Sequence, residues 1–157
     1  MMNQELVKQE AKIRALVRMT RQATDGDMEL QSHWAKYLCV LVAGFAENAL
    51  QVLYSDYVSK STPAPVARFA IGRIKTIQNP RPNRFVEIAS GFKEEWGVQL
   101  DAFFQLDGRD DAVNSIMQAR HQIAHGKNSD ISIARVSEYF EKIVEVANFV
   151  ERQILGP

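Results

Sequence analysis

Residues 28–59, MELQSHWAKYLCVLVAGFAENALQVLYSDYVS, decide the fold. Trp34, Leu38, Leu41, Phe45, Ala49 and Val52 recur at three- and four-residue spacing, the period of a helix and not of a strand. Tyr37, Val40, Val42 and Ala43 add apolar surface on its other sides, so this helix is expected to be enclosed by neighbours. Its longest apolar run, Tyr37–Ala46, is about half of what a bilayer-spanning helix needs, and no membrane partner is expected.

Outward from this stretch the helical period continues in both directions. A first helix is predicted over about Gln4–Thr24, with Leu6, Ile13, Val17 and Met19 on its apolar face and Asp25-Gly26-Asp27 ending it. After the central helix, Ser61-Thr-Pro-Ala-Pro breaks the pattern, and Pro65 suits the first turn of a short helix to about Ile77. Beyond a loop with Pro80 and Pro82, Asn83 is read as the N-cap of a helix reaching Trp96 and stopped by Gly97. A short element from Val98 to about Leu106 leads into Asp107-Gly108. The next helix starts near Asp110 with acids in its first turn, as the helix dipole favours, and carries Val113, Ile116, Met117, Ile123 and Ala124. Gly126 is expected at its left-handed C′ position. The last helix, Ser132–Leu155, lines up Ile133, Val136, Phe140, Ile143, Val144, Ala147 and Val150. The whole reads as one all-α domain over residues 1–157, an up-and-down bundle of six or seven helices.

Nineteen basic and nineteen acidic residues cancel in this 157-residue chain, so a polyanion can be drawn in only by a local cluster of charge. A single cysteine, Cys39, set among apolar neighbours, excludes an intrachain disulfide and fits a reducing, cytoplasmic setting. Charges recur every few residues near the amino terminus, which does not match a secretory signal. No Gly-rich phosphate loop, no G-x-S-x-G elbow and no cysteine beside a histidine is present.

The informative motif is Arg120-His121-Gln122-Ile123-Ala124-His125-Gly126. Arg120 lies three and four residues after Met117 and Ile116, on the helix's apolar face, where a permanent charge demands an anionic or hydrogen-bonding partner. Glu47 is the internal candidate, because it interrupts an apolar stripe of the central helix. A structural Arg120–Glu47 pair that fixes helix register is one reading. His125 points to another. It lies about 140° around an ideal helix from Arg120, but a helix ended by Gly126 frees it as the C-cap. Histidine is also the side chain that exchanges protons most readily near neutrality. A metal site at His121 and His125 is the rival chemistry. It finds no carboxylate within the motif, and the remaining histidine, His33, is far away in sequence.

An arginine, a polar residue, three more residues and a histidine at a helix end resemble the R-x4-6-H motif of the HEPN superfamily. Trp34–Ala49 with Glu47, together with the region Phe85–Gly126, resembles the HEPN group associated with RiboL-PSP proteins. The resemblance implies a homodimer in which two motifs meet and cut RNA without metal or cofactor. In such a site the 2′-hydroxyl attacks the adjacent phosphate. It further implies His125 as acid/base, Arg120 as a clamp on phosphate charge, His121 as an assisting group and Glu47 as the residue orienting Arg120. A toxin or defence role, with an antitoxin or other partner protein, is implied by the same likeness. Members silenced by tyrosine adenylylation carry Tyr where this chain has Lys127, so that regulation is not expected here.

Tyr57–Val86 contains no acid but six cations, Lys60, Arg68, Arg73, Lys75, Arg81 and Arg84, whereas Glu87–Asp111 holds seven acids against Lys93 and Arg109. Arg68, Arg73, Lys75, Arg81, Arg84 and Lys127 are the candidate RNA contacts, with Phe69 and Phe85 as stacking surfaces. The plainer alternative is a solvated segment whose aromatics belong to the core. Three functions compete: a metal-independent endoribonuclease, a non-catalytic HEPN module that binds nucleotide or RNA, and a structural dimeric helical protein.

Overall fold

The computed structural model describes residues 3–156, and among them every regular element is an α-helix. In chain order they are α1 (Gln4–Ala23), α2 (Met28–Ser61), α3 (Ala64–Ile74), α4 (Pro82–Phe92), α5 (Glu94–Phe104), α6 (Arg109–Ala124) and α7 (Ile133–Leu155). Three helix starts, those of α1, α2 and α7, follow polar residues that cap them. The side chains of Asn3, Asp27 and Ser132 each accept a first-turn amide N–H, from Glu5 and Leu6, from Leu30 and from Arg135.

The long helices α1, α2, α6 and α7 run up, down, up, down. Asn3 bonds Glu151, and Arg14 pairs with Glu141, so α1 is antiparallel to α7. Asn48 donates to Glu5 and Gln9, which sets α1 antiparallel to α2. Arg109 meets Glu145 and Tyr139 meets Asp111, which reverses α6 against α7. The three short helices fill the crossover between α2 and α6.

The central position expected for α2 is realised. It packs against α1, α3, α6 and α7, and its buried residues run from Ala35 to Val58. By length and composition α2 could cross a membrane, but 56% of its most apolar stretch is buried inside the fold, as in the core helix of a helical bundle. Phe45 meets the edge of Phe140 on α7 at 5.4 Å, and Tyr54 stacks on Phe92 of α4 at 4.8 Å. Burying each such ring stabilises the fold by roughly 1.5–3 kcal/mol, with about another 0.5–1.5 from ring geometry.

The crossover differs from its expected form. The predicted helix Asn83–Trp96 is two helices, because Lys93 takes an extended conformation (φ −148°, ψ 127°) and serves as C-cap of α4 and N-cap of α5. Gly97 therefore stops nothing and lies inside α5. A Cβ there would sit 1.7 Å from Ser90 Oγ and 2.9 Å from Ser90 Cβ, so the missing side chain lets α5 fold closely back on α4. The start of α4 also shifts. Arg81 is the N-cap, and Pro82 takes the first turn, where its fixed φ and absent N–H cost nothing.

Candidate functional site

The motif occupies the last turn of α6. His125 is the C-cap, Gly126 adopts φ 66°, and the chain leaves in a Schellman turn. In this turn Gly126 N–H donates to Ile123 O at 3.1 Å and Lys127 N–H donates to Gln122 O at 2.9 Å. A left-handed residue is needed there, and glycine takes that conformation without the clash a Cβ would bring. The turn holds His125 against His121, with ring centroids 4.4 Å apart and planes tilted by 60°. Both imidazoles are exposed. Two imidazoles thus sit side by side at the helix end.

Arg120 is half-buried on the core side of α6, as its spacing from Ile116 and Met117 predicts. Its expected partner is elsewhere. Glu47 Oε2 accepts from Asn79 N–H at 2.8 Å and so ties down the α3–α4 loop, where Asn79 has φ 46°. The physical reason is helix direction. Cys39 Sγ donates to Ile116 O where α2 and α6 cross antiparallel. From that crossing Glu47 lies two turns along α2 one way, and Arg120 lies one turn along α6 the other way. Arg120 has no ion pair or hydrogen bond from its guanidinium among the described residues.

The buried, paired arginine is one that sequence reasoning missed. Arg109, 8% exposed, donates to Glu145 at 2.8 Å, Asp107 at 3.0 Å, Leu106 O at 3.1 Å and Phe103 O at 3.3 Å. Its guanidinium also lies 3.9 Å from the Phe103 ring centroid. These contacts bolt the α5–α6 junction to α7. Arg109 is seven and four residues before Ile116 and Val113, so the same periodicity that singled out Arg120 also marks it.

Asn114, Gln118, His121 and His125 recur at four, three and four residues, so they form one polar stripe along α6. Arg81 reaches the start of that stripe, its guanidinium 3.5 Å from Asn114 Oδ1. Arg68, Arg73, Lys75, Arg81, Arg84 and Lys127 are all exposed. Arg84 is engaged with Glu87 at 2.8 Å, whereas Arg68, Arg73 and Lys75 have no ion pair among the described residues. Phe85 does not offer a stacking surface. It is 2% exposed and meets the Phe104 ring edge-on at 5.7 Å, so it belongs to the core. Phe69 is on the surface.

Beside α6, helix α2 exposes Tyr37, Val40 and Gly44. At about 100° per residue these lie between the flank that meets α1 through Asn48 and the flank that meets α6 through Cys39. Cys39 itself is fully buried, and burial pushes its thiol up to about 12, so it is neither nucleophile nor ligand at neutral pH. A cavity of about 570 Å3 opens where α1 ends and α2 and α7 begin; it is lined by Arg21, Asp25 and Asp130 and by none of the motif residues.

A family model described as RiboL-PSP-HEPN matches residues 4–156, nearly the whole chain. No curated protein and no solved structure matches it.

Proposed function

The chain belongs to the RiboL-PSP-HEPN family, and from that premise we propose that it is a metal-independent endoribonuclease whose site forms where two copies bring their Arg120–His125 motifs together. The observation that carries this reading is Arg120, a half-buried guanidinium without an anionic partner among the described residues. A charge partly removed from water needs compensation, and a phosphodiester seated in a cleft between two copies supplies it.

In the proposed reaction an imidazole takes the proton of the RNA 2′-hydroxyl, whose oxygen attacks the adjacent phosphorus. The bond to the 5′-oxygen breaks, a second imidazole protonates that leaving oxygen, and the products end in a 2′,3′-cyclic phosphate and a 5′-hydroxyl. His125 is the acid/base, His121 its neighbour at the phosphate, and Arg120 the clamp on charge gathering at the non-bridging oxygens. Glu47, bonded to the α3–α4 loop, takes no part. The exposed Tyr37–Val40–Gly44 stripe of α2, level with the middle of α6, offers the second copy an apolar surface. A toxin or defence role in the cytoplasm, with an antitoxin or similar partner, accords with the family.

The test is cleavage of RNA by purified protein in excess chelator, against His125→Ala and Arg120→Ala variants. The parent should cut, and each variant should lose roughly 10²–10⁴-fold while staying folded. Cleavage that vanishes in chelator would sink the metal-free mechanism, and folded variants that cut like the parent would sink the assignment.

A further inference from the structure

We infer that α3 is a landing platform for single-stranded RNA, on which the Phe69 ring stacks an unpaired base while Arg68 and Arg73 hold flanking phosphates. This rests on the ribonuclease reading and adds what kind of RNA the site takes and where it is gripped. Phe69 is 69% exposed, and the other seven phenylalanines are buried or half-buried. Other apolar side chains such as Met28 and Val98 are as open to solvent, but Phe69 is the one exposed phenylalanine, and it lies between two arginines of its own helix.

The surroundings of that ring are those of a base-binding surface. The Arg73 guanidinium lies 5.4 Å from the Phe69 centroid and steadies the ring. Gly72 leaves open space beside it, with nothing within 4 Å of where a Cβ would stand. Pro65, Arg68, Phe69, Gly72, Arg73 and Thr76 line an open groove of about 530 Å3. From Tyr57 to Val86 the chain contains no acid, so the charged side chains of α3 itself are all positive; Glu5 and Asp56 line the neighbouring pocket beside Lys75, away from the groove at Phe69. An exposed ring serves an unpaired base and not a duplex, whose base faces are stacked away.

The platform is also connected to the histidines. Gln51 donates to Ile77 O and Asn79 donates to Glu47, which fixes the chain leaving α3 onto α2. It then reaches Arg81, at Asn114 on the α6 stripe. From Asn114 the stripe runs about 16 Å to His125 at the helical rise. RNA held on α3 is thus gripped several nucleotides from the cut, with Lys75 and Arg81 along the way.

The experiment is fluorescence-anisotropy binding by the full chain carrying His125→Ala, using an unstructured pyrimidine 20-mer RNA, a blunt RNA duplex of equal length, and poly-glutamate. The single strand should bind more tightly than the duplex. Phe69→Ala should weaken it roughly 5- to 100-fold and Phe69→Trp should retain it. Arg73→Ala should lower the salt slope by about one. Equal binding of duplex and single strand, or an unchanged affinity in Phe69→Ala, would overturn the inference. Loss of poly-glutamate binding alone in Phe69→Ala would instead assign the surface to an acidic protein partner. Because binding is read separately from cutting, failure of the ribonuclease reading leaves this result standing. The converse holds as well, since parent-like cleavage by Phe69→Ala would overturn only the platform.

Discussion

Arg109 and Arg120 lie eleven residues apart on the same face of α6, and their surroundings assign them opposite tasks. All the donors of Arg109 that meet protein do so within the fold, so Arg109→Ala should lower unfolding stability by about 2–3 kcal/mol; the partly exposed carboxylates of Asp107 and Glu145 keep the loss below that of a fully buried pair. Arg120→Ala should stay within about 0.5 kcal/mol of the parent in the same urea titration, because no partner among the described residues is stranded by its loss. Comparable destabilisation by both would mean that Arg120 is structural. Cys39 allows a second check. Its folded thiol is raised to about 12 from an ordinary 9.0, so the unfolded chain ionises first as pH rises. The stability it contributes is full below pH 9 and is lost between pH 9 and about 12. A thiol reagent at pH 8 should label Cys39 only upon unfolding, and rapid native labelling would contradict the burial. At this scale sequence periodicity placed Arg120 on the apolar face. It could not assign Glu47, because the pairing depends on which way two helices cross.

The helices themselves were largely legible, since α1, α2, α6 and α7 carry long periodic stripes, with polar caps at the starts of α1, α2 and α7. The α4–α5 pair was not. Gly97 after Trp96 looks like a stop in sequence, whereas its role is close approach to Ser90 across the turn at Lys93, a contact that only the folded hairpin creates. Gly97→Ala should force the two helices apart and cost about 1–3 kcal/mol, read by thermal or urea unfolding. Ser90→Gly should recover much of that loss by removing the obstructing Cβ and Oγ. A Gly97→Ala protein as stable as the parent would show that α4 and α5 do not pack this closely. At the end of α6, by contrast, Gly126 was readable as a cap, because a left-handed C′ residue is a local requirement of the helix.

Across the whole molecule, the zero net charge hides a division between a basic α3–α4 surface and an acidic stretch beginning at Glu87. The sequence showed that division, while the path from α3 through Arg81 to the α6 histidines exists only because the crossover helices fold back along α2. The proposed dimer belongs to the same scale. Val40→Glu places a charge in the exposed α2 stripe and should convert a dimer to monomer in light scattering, with RNA cleavage lost in parallel. A parent protein that is monomeric at working concentration yet fully active would remove the composite site.

In the proposed function the Arg120–His125 motif cuts RNA by attack of the RNA's own 2′-hydroxyl. The most direct measurement incubates an RNA and its all-deoxy counterpart with parent and His125→Ala protein in excess chelator, then identifies the product ends. The parent should cut only the RNA, leaving 2′,3′-cyclic phosphate and 5′-hydroxyl ends, and His125→Ala should cut neither. Cleavage of the deoxy strand, 5′-phosphate products, or undiminished cutting by His125→Ala would contradict it.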